Sequence, residues 1–529
     1  MKATYIDYSD TNSFSKTLIA YLSHNPQLAA FYGNKPDLNG FKDQISQKKN
    51  FAHREILTQN LSDQYAELLA SSPEVAQNII RLKDKNTFTV TTGHQLNIFT
   101  GPLYFIFKIV SAIKLAEDLK KAFPENEFVP VYWMATEDHD FEEINHTKAF
   151  GKKISWDVES HSATGRMDTA SIVDTVKQYC NTFGLSENAT VLTDLVSDAY
   201  LQELNLADAT RVFVNSLFKQ YGLVIIDADR KGLKKLFAPI MEEDILKEKS
   251  FKAIEKSSEQ LLELGFATQV HAREINFFYL TDDFRERIVR SPNGKYEVLH
   301  QNLYFSEDEL KKEIHDHPER FSPNVVMRPM YQELILPNLA YIGGGAEIVY
   351  WLQLKANFDQ YKVEFPILIP RNSALITDDQ LAGKIFRLDF TFKSIFKPSE
   401  TLKKDYVKRI TKHRLNLQDE WMEFNAIFGK IKLRTHKIDP SLGPSTDAVK
   451  ARLKKAINNL EKKLLKAEKR NHQDALIQID RIKEKLFPGG GLQERTENFA
   501  ELYLKHGDDL IPDLVKNFNP LDFKFTILY

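Results

Sequence analysis

The sequence predicts an α/β protein, a mostly parallel sheet covered by helices, with a separate helical domain towards the C-terminus. Three observations predict it. Phe88 and Val90 alternate with Thr87, Thr89 and Thr91 in a β-branched run of period two that ends at Gly93. Phe128 to Met134 is apolar on nearly every residue, as expected of a parallel strand covered on both faces. Between them, apolar residues at helical spacing run from Leu103 through Phe107, Val110, Ile113, Leu115 and Leu119, with Pro102 suiting the helix start. Strand, Gly-containing loop, helix and strand make a β-α-β unit.

Taken in order, residues 1–85 read as helical with no clear strand. Ser13 or Ser15 caps a helix holding Leu18, Ile19 and Leu22, and Ala52–Leu69 and Pro73–Leu82 follow. The core, 86–250, continues with a short strand near Ile154–Val158 and helices around Ile172–Phe183, Val191–Leu204 and Arg211–Tyr221. A buried strand, Gly222–Ile226, then ends in Asp227-Ala228-Asp229, read as caps for a helix from Lys231. Over 251–320 a helix to Leu264 precedes strand-like pieces at Asn276–Leu280, Arg287–Arg290 and Tyr296–Leu299, with turn chemistry at Ser291–Gly294. This is a small α+β insertion, placed to act as a lid or to shape the substrate site. The core resumes over 321–398: Asn324–Pro329 reads as a strand end, Leu339–Glu347 passes from strand to helix through three glycines, and Pro366–Ser373 gives another strand. From 399 to 488 composition turns Lys-, Glu- and Leu-rich. Leu453, Ile457, Leu460, Leu464 and Ala467 form a heptad seam, and Gly429–Pro444 divides the region into two long helices that pack together or against a second subunit. Residues 489–529, ending in the strand Phe523–Tyr529, return to the core.

A length of 529 residues exceeds one ordinary domain. The net charge of -2 gives no bulk attraction for nucleic acid or an anionic membrane. A single cysteine, Cys180, excludes an internal disulfide and a Cys-rich metal site. No apolar run is long enough for a membrane span, and the N-terminus is too polar for a signal peptide, so a cytoplasmic protein is expected. The P-loop, Gly-x-Gly-x-x-Gly and His-Glu-x-x-His patterns are all missing, and His315-Asp316-His317 has no further ligand at a recognisable spacing. No metal site is expected.

In open α/β sheets, ligands bind beyond the carboxyl ends of the strands. Two strand ends carry chemistry here: Thr92-Gly93-His94-Gln95 with Asn97 and Gly101, and Glu137-Asp138-His139-Asp140. The sequence places them near each other. His94 is an acid or base candidate, and His139, Asp138 or Asp140 is the candidate base for an attacking amine. Gly343, Gly344 and Gly345 open a helix, where backbone N–H groups can cradle an anion, or simply make a tight turn. Arg328 and Arg371 are candidate carboxylate clamps, with Asn372 and Asp227 as further binding candidates.

With these residues in view, the chain resembles the bacillithiol biosynthesis cysteine-adding enzymes. The match rests on Thr92–Gln95 with Thr100–Tyr104, Pro130-Val131 with Glu137–Asp140, Arg328-Pro329, Gly343–Glu347 and Pro370–Ser373, in that order along essentially the whole chain. The resemblance implies a Rossmann-like nucleotidyltransferase core with connecting insertions, a C-terminal helical coiled-coil domain and a homodimer. It further implies a ligase joining the carboxylate of cysteine to the amine of glucosaminyl-malate, with ATP and Mg2+ expected for activation. Two other readings stay open: a non-catalytic dimeric scaffold that binds a small anion, and a nucleotidyltransferase with another substrate.

Overall fold

The computed structural model describes residues 1–411 and 415–529. Its main sheet has five strands: β1 (Thr87–His94), β2 (Glu127–Met134), β3 (Val224–Asp227), β4 (Asn338–Gly343) and β5 (Ile367–Pro370). Every neighbouring pair is parallel, in the order β5-β4-β1-β2-β3. Successive strands therefore run outward one way from β1 and then the other way from β4. Between β1 and β4 lies the switch point at which a doubly wound sheet opens a crevice.

The strands are buried end to end, so their polar side chains must find partners inside. Thr89 and Thr91 both donate to the Asn338 side-chain oxygen on neighbouring β4, at 3.1 and 2.8 Å. Helix α1 (Tyr104–Ala122) crosses from β1 to β2, and its Ala112, Leu115 and Leu119 pack with Phe88, Val90, Phe128, Ile342 and Ile369 in one core. Truncating any large member to alanine costs about 2–5 kcal/mol. The loop into α1 is tightly constrained. Gly101 sits at φ +59, ψ -140, and a Cβ there would meet Asn97 Cβ at 2.7 Å. Asn498, from the returning C-terminal segment, holds this loop by donating to the carbonyls of Phe99 and Gly101 at 2.9 and 2.8 Å.

Three further helices frame the crevice: α2 (Lys231–Lys247) after β3, α3 (Arg328–Ile335) before β4, and α4 (Gly345–Trp351) after it. The predicted insertion is an antiparallel sheet. Its strands are ordered Leu303–Phe305, Tyr296–Val298, Arg285–Arg290, Phe277–Leu280 and Phe321–Pro323.

Three expectations are corrected. The first 85 residues do contain a strand, Ala3–Asp7, which pairs antiparallel with Lys524–Leu528. It is short, half polar and has its partner at the far end of the chain, so no local pattern marks it. Asn324–Pro329 is not a strand end, because Arg328 opens α3 with Pro329 in its first turn, where the missing N–H costs nothing. Gly429 does not break a helix: it lies within Gln418–Ile438, and the break falls at Asp439–Leu442.

The chain divides into two compact units, Met1–Leu375 with Gln493–Leu528, and Ile376–Leu492 with Tyr529. Everything above except the helix Gln418–Ile438 and its break belongs to the first. The second is helical, running through Asp379–Arg387, Ser399–Ile410, Gln418–Ile438, Gly443–Asn471 and Gln473–Leu486. Its two longest helices lie side by side, tied by Lys432–Asp447 at 2.6 Å and Thr435–Thr446 at 3.3 Å. Met422, Phe424, Ile427 and Leu433 stay exposed on Gln418–Ile438, as does Leu460 of the predicted seam. Among the described residues no helix is long and apolar enough to cross a membrane.

Candidate active site

Parallel pairing sets Gly93 opposite Trp133 and His94 opposite Met134, so the β1 and β2 ends deliver their polar residues side by side. A cavity of about 600 Å³ opens there, at the switch point. It is walled by the ends of β1, β2 and β4, with Arg371 beyond β5, Arg328 on α3, and Phe278 and Arg285 from the insertion.

One end is rich in cations. Lys108, on α1, is buried among apolar neighbours and reaches back to the Gly93 carbonyl at 2.8 Å and Glu347 Oε1 at 2.5 Å. Burial pulls the Lys108 ammonium down from its ordinary value, while Glu347 opposes that. Burial would raise Glu347, but Lys108 and hydrogen bonds from Tyr341 and Gly344 outweigh it and keep the carboxylate ionised. Glu347 thereby takes the Gly344 N–H itself, at 3.2 Å, so this donor of the predicted glycine cradle is engaged from within the chain. Arg328 lies over Trp133 and Tyr341, at 5.8 and 5.7 Å to the ring centres. Arg371 pairs with the fully buried Glu494 at 2.7 Å and stacks on Tyr104 at 5.2 Å, and Arg495 lines the same wall. His94 sits between Tyr104 and Phe105 with its Nε2 buried and without a partner. Burial, and then the charges of Lys108 and Arg371, hold His94 well below the usual imidazole range, so the ring is neutral.

The other end is acidic. Glu137 and Asp229 grip the fully buried Lys234 at 2.5 and 2.8 Å. Burial raises Glu137, whereas Asp229, also paired with Arg166, is held low. Asp138 accepts from Gln95 at 2.7 Å and from the His139 backbone N–H at 2.9 Å. Burial works against its ionisation, but the neighbouring His139 ring, Gln95, Arg285 and the His139 backbone N–H together hold it well below the usual carboxylate range. Gln95 also donates to Glu143 at 2.9 Å. His139 Nδ1 lies 2.8 Å from Arg285 Nη1.

Of the residues predicted from sequence, Gly93, His94, Gln95, Glu137, Asp138, His139, Arg328, Gly344, Gly345 and Arg371 line the cavity together. Seven do not, each for a definite reason. Thr92 donates to the Ile342 carbonyl inside the sheet, Asn97 and Gly101 shape the loop before α1, and Asn372 binds Ser111. Asp140 is exposed beside the cavity. Gly343 is packed under Ile348 and Tyr341. Asp227 accepts from Thr136 at 2.6 Å, and neither it nor Asp229 caps α2, whose first turn has no side-chain cap. Sequence reasoning missed Lys108, Glu347, Arg285 and Glu494. Glu347 stands three residues after Gly344, a spacing that signals N-terminal capping; Lys108 is marked only as a charge in an otherwise apolar helix face.

Fold and cavity together define a Rossmann-like α/β protein with a polar-lined cavity at its switch point and a helical second unit. The chain belongs to the BshC family of bacillithiol biosynthesis: "Bacillithiol biosynthesis BshC, N-terminal Rossmann-like domain" matches residues 1–372 and "Bacillithiol biosynthesis BshC, C-terminal coiled-coil domain" matches 374–529. It is similar to proteins named "Putative cysteine ligase BshC" from Flavobacterium johnsoniae (43% identical, 100% of each chain covered) and Flavobacterium psychrophilum (43%, 100% and 99%). A protein of the same name from Christiangramia forsetii is 41% identical over 100% and 99% of the two chains. Among solved structures it is similar to a putative arginyl-tRNA synthetase from Campylobacter jejuni, at TM-score 0.21 and 12% identity over 85% and 97% of the chains, too distant to carry an argument.

Proposed function

We propose that the protein is a cysteine ligase that forms an amide between the carboxyl group of cysteine and the amine of glucosaminyl-malate. The observation that carries this reading is the division of one cavity into a cationic and an acidic end. Arg328, Arg371 and Arg495 suit the malate carboxylates, since guanidinium groups bind them in bidentate fashion. Asp138, kept ionised, suits the sugar ammonium at the opposite end. A free carboxylate does not acylate an amine in water, so cysteine must first be activated, and ATP is the proposed source. Among the described residues no three His, Cys, Asp or Glu side chains group to hold a metal, so Mg2+ would enter with the nucleotide phosphates. The bound ammonium first gives up one proton to solvent; the free amine nitrogen then attacks the activated carboxyl carbon, the leaving group departs with its bonding electrons, and the second nitrogen proton passes to a base.

The test is mass spectrometry of purified protein incubated with cysteine and glucosaminyl-malate, with and without ATP and Mg2+. Product only with the nucleotide supports the reading. Absence of product under every condition refutes it.

A further inference from the structure

Arg285 comes to the cavity from the insertion, as the first residue of its strand Arg285–Arg290, and its side chain is buried. Its donors are fixed on three sides. Nε donates to Ser322 Oγ at 3.0 Å, Nη2 to the Pro323 carbonyl at 3.3 Å, and Nη1 meets His139 Nδ1 at 2.8 Å. The guanidinium also lies 3.9 Å over the Phe278 ring. A planar cation held by one ring face and two strand oxygens cannot turn Nη1 elsewhere. Guanidinium N–H groups only donate, so Nδ1 must accept. A neutral imidazole has one hydrogen, which is then on Nε2. Asp138 Oδ1, at 3.8 Å from Nδ1, is too far to accept a hydrogen from it, and at 4.0 Å from Nη1 it balances the guanidinium charge.

We propose that Arg285 is a positioning residue: it fixes His139 as the Nε2–H tautomer, so that the ring meets the bound molecule as a hydrogen-bond donor to an acyl oxygen and not as a base. The donor role rests on the ligase reading, whereas the tautomer does not. A fixed donor near the carbon under attack stabilises the negative charge that gathers on its oxygen in the transition state. The insertion then supplies part of the chemistry through Arg285, beyond any covering role.

The test has two arms. In the first, the ring nitrogens of ligand-free protein carrying 15N-histidine are observed at neutral pH, His139 being identified by the signal lost in His139→Gln. Wild type should show a protonated Nε2 and a bare Nδ1, and Arg285→Gln should show a mixture of tautomers. A protonated Nδ1 in wild type overturns the proposal without any variant, so a folding failure of Arg285→Gln cannot shelter it. Unchanged His139 signals in a folded Arg285→Gln overturn the positioning role. In the second arm, turnover is compared for His139→Gln, which keeps an N–H donor, and His139→Glu, which keeps a proton acceptor. The glutamine variant should retain at least tenfold more kcat, with KM similar in the two. The reverse order overturns the donor role. If wild type forms no product, the ligase reading and the donor role fall together, while the spectrum still decides the tautomer.

Discussion

Replacing Arg371 with methionine leaves the Glu494 carboxylate buried without its counter-charge. The two side chains are 5% and 0% exposed, and Glu494 also accepts from Ser373 Oγ at 3.1 Å and the Ala374 N–H at 3.0 Å. Breaking such a pair from one side costs about 3–5 kcal/mol. Unfolding entropy of about 2.1 cal/mol/K per residue gives roughly 0.9 kcal/mol/K for a unit comprising Met1–Leu375 and Gln493–Leu528. The expected fall in Tm is therefore about 3–6 °C. Adding Glu494→Gln removes the stranded charge yet keeps an acceptor oxygen for Ser373 or Ala374. Calorimetry should show the double variant recovering at least half of the loss. Product formation should stay impaired, because the cavity still lacks the guanidinium. A Tm within about 1 °C of wild type for Arg371→Met, or a double variant no more stable than the single one, refutes the reasoning.

Three other outcomes are expected. Gly101→Ala forces a Cβ into Asn97 at a backbone conformation essentially reserved for glycine, and should cost about 1–3 kcal/mol or more, read by denaturant unfolding. Glu333, buried beside Lys48, is pushed up to about 7, mainly by burial. Since the folded protein then holds this proton longer than the unfolded chain does, stability should fall as pH rises from about 4.5 to about 7. Glu333→Gln should flatten that slope, and an unchanged slope would assign it to other groups. If the homodimer implied by the family resemblance forms through this face, aspartate at Ile427 and Leu433, both exposed on Gln418–Ile438, should lower the mass seen in sedimentation equilibrium; an unchanged dimer mass would exclude this face.

What the sequence made legible depended on whether a signal was local. β1 and β2 were readable because strands buried on both faces have no room for polar positions except paired threonines. Their ends pointed to the site because parallel neighbours must share a carboxyl edge, and His94 and Glu137–His139 are indeed found together. Arg328 was assigned to the correct cavity from the wrong element, because Val325 and Val326 suggested a strand while Pro329 in fact marked the first turn of α3. Asp227 and Asp229 suit a cap by residue type, but their side chains are taken by the distant Thr136 and Arg166 and by the Lys234 ammonium of α2 itself, leaving none for the backbone N–H groups of the first turn. Arg285 and Glu494 lie 146 and 123 residues from the groups they bind, His139 and Arg371, and no periodicity reports such a pairing.

The return of the last segment to the first unit has a consequence for vectorial synthesis. Ala3–Asp7 waits for Lys524–Leu528, the Phe99–Gly101 loop waits for Asn498, and Arg371 waits for Glu494. All five parallel strands have been made by Pro370, yet the helical unit must be translated before any of these partners exists. At about 5–20 residues per second, that interval lasts roughly six to thirty seconds. Throughout it the nascent chain carries a nearly complete sheet around an unfinished site. A ribosome that stops anywhere within the helical unit therefore leaves a polypeptide whose sheet has been synthesised but whose cavity lacks Arg495 and the Glu494 that pairs with Arg371.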